Sequence, residues 1–416
     1  MEKWYELQIE PRDVLFFPDA RPMAASSVGA GAKWPVPQVF HNALLSALHQ
    51  MDRQDFEHQH QPTHNDKNKN SSFRFGGLKT VGIFPILADR LCVPTPADLQ
   101  YNGDALTVLA PADQGLCDLP LPLTKVLNKP GKATKNTVDP WLRVEDLMRY
   151  LAGDLSNIQT VKTSELFSVE SRPGIGIRPD TGSVEEGKFY LAEYMRLKPE
   201  TKLAGFAQCY QKRYKDEINE DLLHPFFNGK KSVPFVLGGQ RGVAFLESVR
   251  ENHCAKIREQ RPAGTRIKWV TLTPSIFTGG WLPSWIDSET GCLKTGDVEK
   301  PLRQPGESRE DWRKRFKHNG IDAKLVSACV PKSFAYSGWR AHGGRISNQG
   351  DVENGAFATR LCVPAGAVYY FETNEPEKLV DYLHGKTRSD ELAEKGFGFG
   401  LCGIWNEFIK KEGETK

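Results

Sequence analysis

Alternating apolar and polar residues mark short strand-like segments along most of the chain. The first, WYELQIEP at residues 4–11, alternates from its tyrosine onward. Residues 80–96 have the pattern of two strands joined at Ala88, Asp89 and Arg90. Further strand-like segments occupy residues 205–211, 234–249, 265–277, 323–331 and 360–372. The pattern therefore predicts a chain rich in β-sheet.

Apolar residues recur at helical spacing in three shorter stretches. Residues 35–51 begin with prolines at the first turn, and residues 144–153 end at a glycine, as helices commonly do. Residues 377–385 predict a third, short helix. Long helices do not alternate with the strands, which argues against a parallel doubly wound sheet. The order strand, helix, strand pair, helix, strand favours an α+β fold with ferredoxin-like units.

Residues 171–197, SRPGIGIRPDTGSVEEGKFYLAEYMRL, predict a long β-hairpin with Asp180, Thr181 and Gly182 at its tip. Arg172 and Arg178 stand on either side of a Gly-Ile-Gly-Ile sequence. Guanidinium groups bind phosphates bidentately or stack on bases, so these arginines are candidate RNA contacts. The alternative is a structural role, in which they pair with acidic residues of the returning strand. Those acidic residues are Glu185 and Glu186.

The segment GFGFGLCG at residues 396–403 alternates glycine with large apolar residues. It lacks the strand–helix setting and the following acidic residue of a dinucleotide-binding motif, and the chain contains no P-loop sequence. Two interpretations stay open. The segment is either a glycine-rich strand packed closely by its neighbours or a loop whose backbone amides meet phosphates. In the second case Phe397 or Phe399 offers a stacking face to a base.

Length and composition limit the number of domains and the kinds of site that the chain can contain. With 416 residues, 39% of them hydrophobic, the chain is long enough for two domains, which we place at residues 1–255 and 256–416. The net charge of +3 is only mildly basic. Eight cysteines without a CxxC pair indicate a reduced, cytoplasmic protein without a zinc ribbon, and no apolar run predicts a membrane span. The histidine-rich residues 58–64 lack regular ligand spacing, so neither a metal nor another cofactor is expected.

The whole chain resembles the RAMP superfamily of CRISPR proteins, most closely the Cmr3-type, Cas5-like subunits of type III-B effector complexes. The resemblance rests on segments that follow one another in the family's order. They are IEPRDVLFFPDARPM (9–23), WPVPQVFHNALLSAL (34–48), VGIFPILADRLCVPTPADL (81–99), the hairpin 171–197, FVLGGQRGVAFLE (235–247), TLTPSIFTGGWLP (271–283), SGWRAHGGR (337–345), VPAGAVYYFE (363–372) and GFGFG (396–400).

Two positions depart from the family pattern. The opening loop often reads Arg-Asp-Gly-Arg in the family, and here Pro18, Asp19, Ala20 and Arg21 stand in its place. Only Asp19 and Arg21 carry over. The first helix often contains Gly-Ala-Leu-Arg, whereas residues 42–45 here read Asn-Ala-Leu-Leu and lack the basic side chain.

The resemblance implies two ferredoxin-like, RRM-like RAMP modules and a non-catalytic RNA-binding subunit of a type III-B Cmr complex. Such a subunit caps the 5′ tag of the CRISPR RNA (crRNA) and bridges the large polymerase-like subunit to the first backbone RAMP subunit. Its implied site places Arg21, Arg172 and Arg178 on phosphates and Gly396, Gly398 and Gly400 against the RNA backbone, with Phe399 stacking on a base.

Two other functions are alternatives. RAMP relatives include metal-independent endoribonucleases that process guide precursors with a histidine as general acid or base, and His41 on the first helix is the candidate here. The sequence offers His41 no evident lysine or tyrosine partner, so we expect no enzyme activity. The third function is that of an architectural adaptor that meets only protein.

Overall fold

A computed structural model describes residues 3–18, 28–51, 75–113, 118–129, 135–178, 180–212, 219–228, 230–249, 253–294, 296–299, 302–304, 306–314, 317–340, 355–356 and 358–408. The polar segment 52–72 lies outside these residues.

The described residues of the first half form sixteen strands and five helices, which are as follows: β1 (Tyr5–Pro11), β2 (Val28–Ala30), α1 (Pro37–Met51), β3 (Leu78–Leu87), β4 (Arg90–Pro94), β5 (Leu99–Asn102), β6 (Ala105–Val108), β7 (Ala110–Ala112), β8 (Val126–Asn128), β9 (Trp141–Arg143), α2 (Val144–Leu151), β10 (Thr160–Val161), α3 (Thr163–Leu166), β11 (Phe167–Ile177), β12 (Val184–Leu197), β13 (Thr201–Lys212), β14 (Asn219–Asp221), α4 (Leu223–Phe227), β15 (Val233–Val236), β16 (Val243–Val249) and α5 (His253–Glu259).

The second half contributes the remaining described elements, which are as follows: β17 (Arg266–Thr271), β18 (Gly296–Glu299), α6 (Arg309–Lys314), β19 (Lys317–Gly320), β20 (Ala323–Cys329), β21 (Phe334–Tyr336), β22 (Trp339–Arg340), β23 (Gly355–Ala356), β24 (Arg360–Cys362), β25 (Val368–Thr373), α7 (Pro376–Leu383), β26 (Lys386–Thr387), a 3₁₀ turn (Ala393–Lys395) and β27 (Phe399–Ile404).

A nine-stranded sheet organises the first half, in the order β10-β9-β4-β3-β13-β1-β16-β15, with β14 also pairing with β13. β13 runs antiparallel to both β1 and β3, so those two strands are parallel to each other with β13 between them. The chain passes from β1 to β3 through α1, whose Phe40, Leu44 and Leu48 are buried against the sheet. This arrangement is a split β-α-β unit.

A five-stranded sheet, β20-β25-β17-β27-β26, organises the second half. Here β17 lies between β25 and β27 and is antiparallel to both. The helix α7 follows β25, and the chain reaches β27 only afterwards, which makes a second split β-α-β unit.

One hydrophobic cluster joins the two sheets. It contains Val81, Phe84 and Phe206 from the nine-stranded sheet together with buried residues of the five-stranded sheet. Those partners are Val270, Tyr370, Phe399 and Leu401. Because the apolar faces of the two sheets bury each other, the halves share one core.

The structure confirms the α+β class and the main local predictions. The predicted first helix, the strand pair joined at Ala88 and Asp89 and the helix before Gly153 are all present. Within residues 101–140 and the strand just before them, β5 pairs with β6 and β7 with β8 as two short hairpins. Gly103, with φ of +62°, makes the first of these turns possible. The division at residue 255 stays a prediction, as do two complete ferredoxin-like modules.

Candidate functional site

The hairpin of β11 and β12 is a regular element with an exposed apolar surface. Its strands pair from Phe167 opposite Leu197 to Ile177 opposite Val184, with an irregularity in register between Ile175 and Ile177. At the tip, the Arg178 N–H donates to the Ser183 carbonyl oxygen over 2.9 Å. The predicted hairpin is therefore confirmed, with its turn at the predicted residues.

One face of the hairpin presents large apolar side chains to solvent. Ile175 lies opposite Phe189, and Ile177 lies opposite Val184, so these four share a face, and Val169 joins them by the two-residue period of the strand. Their exposed fractions lie between 49% and 60%. Contiguous exposed apolar surface of this kind marks a contact site for another molecule.

The opposite face carries four charged groups in an alternating ring. Arg172 Nη2 lies 3.1 Å from Asp13 Oδ2, and Arg172 Nε donates to Glu170 Oε1 over 2.7 Å. Arg196 Nη2 lies 3.0 Å from Asp13 Oδ1, and Arg196 Nε donates to the second Glu170 oxygen. The hydrogen bond from Arg172 lowers the pKa of Asp13, and the one from Arg196 lowers the pKa of Glu170. We call this set the charge ring.

The predicted arginine contacts fall into three cases. Arg172 is engaged in the charge ring and also lies 5.3 Å from the centre of the Tyr194 ring, so it already has partners within the protein. Its acidic partners among the described side chains are Asp13 and Glu170. The side chains of Glu185 and Glu186, considered from sequence, lie outside the described part of the structure. Arg178 is exposed at the tip, and its side chain makes no hydrogen bond or ion pair with the described residues. Arg21 lies outside the described residues.

The glycine-rich segment is buried in the five-stranded sheet. Phe397 and Phe399 are 0% exposed. A Cβ atom at Gly396 would lie 2.6 Å from the Thr80 carbonyl oxygen, and one at Gly400 would lie 2.3 Å from Trp269 Nε1. At Gly398, where φ is +71°, a Cβ would lie 2.3 Å from the Ser389 nitrogen. Side chains are therefore excluded here by the protein's own atoms.

The backbone amides of this segment are also engaged internally. The Phe397 N–H donates to the Leu392 carbonyl over 3.3 Å, and the Gly398 N–H donates to the Pro274 carbonyl over 2.8 Å. The Phe399 N–H donates to Thr273 Oγ1 over 2.8 Å. These bonds match the interpretation of the segment as a closely packed strand. They correct the expected RNA contacts at Gly396, Gly398, Phe399 and Gly400, because the Phe399 ring has no exposed face and Gly398 has no free N–H.

His41, the candidate nuclease residue, is also buried. It is 5% exposed, and its Nδ1 lies 3.1 Å from Thr80 Oγ1. Burial, assisted by the charge of Lys395, lowers the pKa of His41 to about 3. A histidine with that pKa and that burial is poorly suited to exchange protons with an RNA substrate near neutral pH.

Sequence reasoning missed a buried polar cluster where the two halves meet. Asp98 accepts hydrogen bonds from the Tyr150 and Tyr370 hydroxyls at 2.6 and 2.7 Å, and the Lys268 ammonium lies 3.9 Å from it. The available signal was Lys268 between the apolar residues Ile267 and Trp269 of β17. No local pattern connects it to Asp98, which comes from the other half of the chain.

None of the described helices is long and apolar enough to cross a bilayer.

Comparison with known proteins places these features in a family. The family model described as "CRISPR-associated protein (Cas_Cmr3)" matches residues 7–405. No curated protein sequence matches the chain. A solved structure described as "Cryo-EM structure of the Type III-B Cmr-beta bound to cognate target RNA" contains a chain that is 13% identical. That match covers 94% of this chain and 95% of that one, with a TM-score of 0.44.

A second solved structure, of the same complex with target RNA and AMPPnP (state 1), contains a chain with 13% identity and a TM-score of 0.41. The match covers 91% of this chain and 88% of that one. The two structural similarities are too low to carry an argument about function, whereas the family model spans nearly the whole chain. The chain belongs to the CRISPR-associated Cas_Cmr3 family.

Proposed function

We propose that this protein is a non-catalytic, RNA-binding subunit of a type III-B Cmr effector complex. In this role it holds the 5′ tag of the crRNA in the cytoplasm. It bridges the large polymerase-like subunit to the first backbone RAMP subunit. Membership of the Cas_Cmr3 family supports this assignment. We also infer that the two sheets, each with a split β-α-β unit, are the centres of two ferredoxin-like modules at residues 1–255 and 256–416.

The exposed apolar face of the hairpin is the observation that carries the proposal. Ile175, Ile177 and Phe189 keep about half of their surface in solvent, next to a tip that carries the exposed Arg178. Apolar side chains lie against bases, and a guanidinium contacts phosphate, so this combination suits a single-stranded RNA segment or the end of a duplex. The charge ring on the opposite face is internally neutralised and supports the hairpin.

The RNA-binding test compares variants of the two hairpin features. In the full chain, Arg178→Ala should reduce the slope of log affinity for tag RNA against log salt by about 0.7, which corresponds to one phosphate contact. Phe189→Ala should weaken binding by roughly 1–3 kcal/mol without changing that slope, because it removes a stacking surface and no charge.

Leu361→Ala is the matched control, because Leu361 is 61% exposed but lies in the other half of the molecule. We expect it to leave RNA affinity unchanged. If the hairpin variants bind tag RNA as wild type does, the hairpin does not contact the RNA. If wild type itself does not bind tag RNA, the RNA-binding proposal is overturned in favour of the adaptor.

The absence of catalysis has its own test. The purified protein, incubated with repeat-containing RNA in magnesium or in EDTA, should leave the RNA intact, because His41 is buried and holds its neutral form. Site-specific cleavage that is lost in His41→Gln would establish the endoribonuclease instead.

A further inference from the structure

A cavity of about 270 Å³ lies between the two halves of the molecule. The first half contributes Asp98, Val108 and Tyr150 to its wall, and the second contributes Lys268 and Trp405. The volume is slightly below the range of about 300–1,000 Å³ that is typical of pockets for drug-sized ligands. A ligand of one or two rings fits this size.

Lys268 is a buried cation with no hydrogen-bond acceptor in the described part of the chain. The residue is 3% exposed, and its ammonium lies 3.5 Å from the centre of the Tyr150 ring. Its distance of 3.9 Å to Asp98 Oδ2 is too long for a hydrogen bond. It makes no hydrogen bond to the described residues, although it lines the cavity. A buried ammonium with three donors requires acceptors, and the cavity is where they would be.

Asp98, in contrast, is largely satisfied by protein. The single hydroxyl proton of Tyr150 is shared between its two oxygens, which lie 2.6 and 2.7 Å from the hydroxyl, and Tyr370 donates to Oδ2 at 2.7 Å. With Lys268, it makes a pair of opposite charges at the cavity wall. The other acidic residue of the wall, Glu407, is paired with Lys125 at 3.0 Å and Arg266 at 2.9 Å. Because both acidic groups of the wall already have cationic partners and Lys268 faces Asp98, the cavity favours a neutral polar ligand over an ion.

Much of the remaining wall is aromatic or aliphatic. Tyr370 and Trp405 meet edge to face with ring centres 5.9 Å apart. Leu155, Ile404 and Phe408 extend this surface. Aromatic walls together with a few fixed polar groups recognise planar heterocycles.

We propose that this cavity binds one nucleobase, whose ring acceptor receives a hydrogen bond from the Lys268 ammonium. The base is either an unstacked base of bound RNA or that of a free nucleoside. The first source rests on the proposed RNA-binding function, and the recognition chemistry is the same for both.

Binding of free nucleosides to the full chain tests the chemistry directly. Adenosine, guanosine, cytidine and uridine are titrated in turn by calorimetry, with ribose as the control that lacks a base. At least one nucleoside should bind and ribose should not. Lys268→Met removes the donor while keeping the length of the side chain, and Val108→Phe fills the cavity while keeping the donor. Each should weaken nucleoside binding at least tenfold.

If no nucleoside binds, or if both folded variants bind as wild type does, the cavity holds only water and the inference is overturned. Val108→Phe keeps the test decisive if Lys268→Met does not fold.

Abasic substitutions in tag RNA then identify the source of the base. If the base comes from RNA, one abasic position should weaken binding to wild type but have no further effect in Lys268→Met. If nucleosides bind while no abasic position matters, the ligand is a free nucleoside. RNA binding that survives without any nucleoside binding would reject this cavity and leave the proposed function standing. Nucleoside binding without RNA binding would support this cavity and overturn the proposed RNA-binding function.

Discussion

The hairpin β11–β12 and the strand β27 have similar local sequences, but the hairpin is exposed to solvent and β27 is buried. GIGI in the hairpin and GFGFG before and within β27 both alternate glycine with large apolar residues. Yet Phe399 is 0% exposed, whereas Ile175 is 49% exposed. β27 is paired on both sides, by β17 and β26, and is covered by the shared core, whereas among the described strands β11 pairs only with β12. The difference shows that this alternation specifies a strand but does not specify what lies against it.

The glycines make the sharpest contrast, because Gly398 and Gly182 have nearly the same backbone conformation. Their φ angles are +71° and +64°, but a Cβ at Gly182 would have no atom within 4 Å. Gly182→Ala should therefore cost only the left-handed backbone strain of about 1–2 kcal/mol. Gly398→Ala adds a collision with the backbone of Ser389 and should destabilise the fold by more than about 4 kcal/mol.

Urea unfolding of the two alanine variants measures this difference. Equal losses at the two glycines would mean that Ser389 moves aside easily, and the close packing of the glycine-rich segment would then not explain its sequence.

The aromatic residues provide the second contrast. Phe399→Ala leaves a cavity in the shared core and should cost about 3–5 kcal/mol of unfolding free energy. Phe189 is 57% exposed, so Phe189→Ala should change stability by no more than about 0.5 kcal/mol. RNA affinity, measured on the folded protein, should follow the opposite order. A Phe399 variant that is stable but weak in RNA binding would restore the original prediction for that residue.

This contrast also marks how far the sequence could be interpreted. Helix α1 and the hairpin were predictable because apolar period and turn residues act within a few positions of one another. The structural role of Gly396 was not predictable from sequence, because the atom that excludes a side chain there is the carbonyl oxygen of Thr80 in the other sheet. Lys268 and Asp98 likewise meet only after both halves have packed. Local sequence patterns thus predicted the helices and strands, whereas long-range contacts determine which glycines and charged residues are buried.

A buried histidine next to β27, His384, should make the fold sensitive to acid. His384 accepts a hydrogen bond from the Cys402 N–H of β27 over 3.0 Å, and its Nε2 lies 3.2 Å from the Ile257 carbonyl, so it is held in the neutral form. Burial lowers its pKa from 6.5 to about 4. The unfolded chain therefore binds a proton in this range that the folded chain does not, and stability falls as pH decreases from 6.5 to 4. The contribution of this residue is roughly 3 kcal/mol.

The pH dependence of urea unfolding, compared between wild type and His384→Gln, tests this assignment. Glutamine can donate and accept in the same place without titrating, so the variant should lose less stability between pH 6.5 and 4. Identical profiles would exclude His384 as a source of acid sensitivity.

The smallest expected effect lies on the hairpin. Arg172→Met removes one member of the charge ring but leaves Arg196 in contact with both Asp13 and Glu170. These groups are exposed, and exposed ion pairs contribute little and are screened by salt. We therefore expect a slight loss of stability at low salt that disappears in concentrated salt, with the salt slope of RNA binding unchanged. Arg178→Ala should show the converse, unchanged stability with a reduced salt slope. A reduced slope in Arg172→Met would mean that RNA displaces the acidic partners of Arg172, so that the charged face of the hairpin also contacts phosphate.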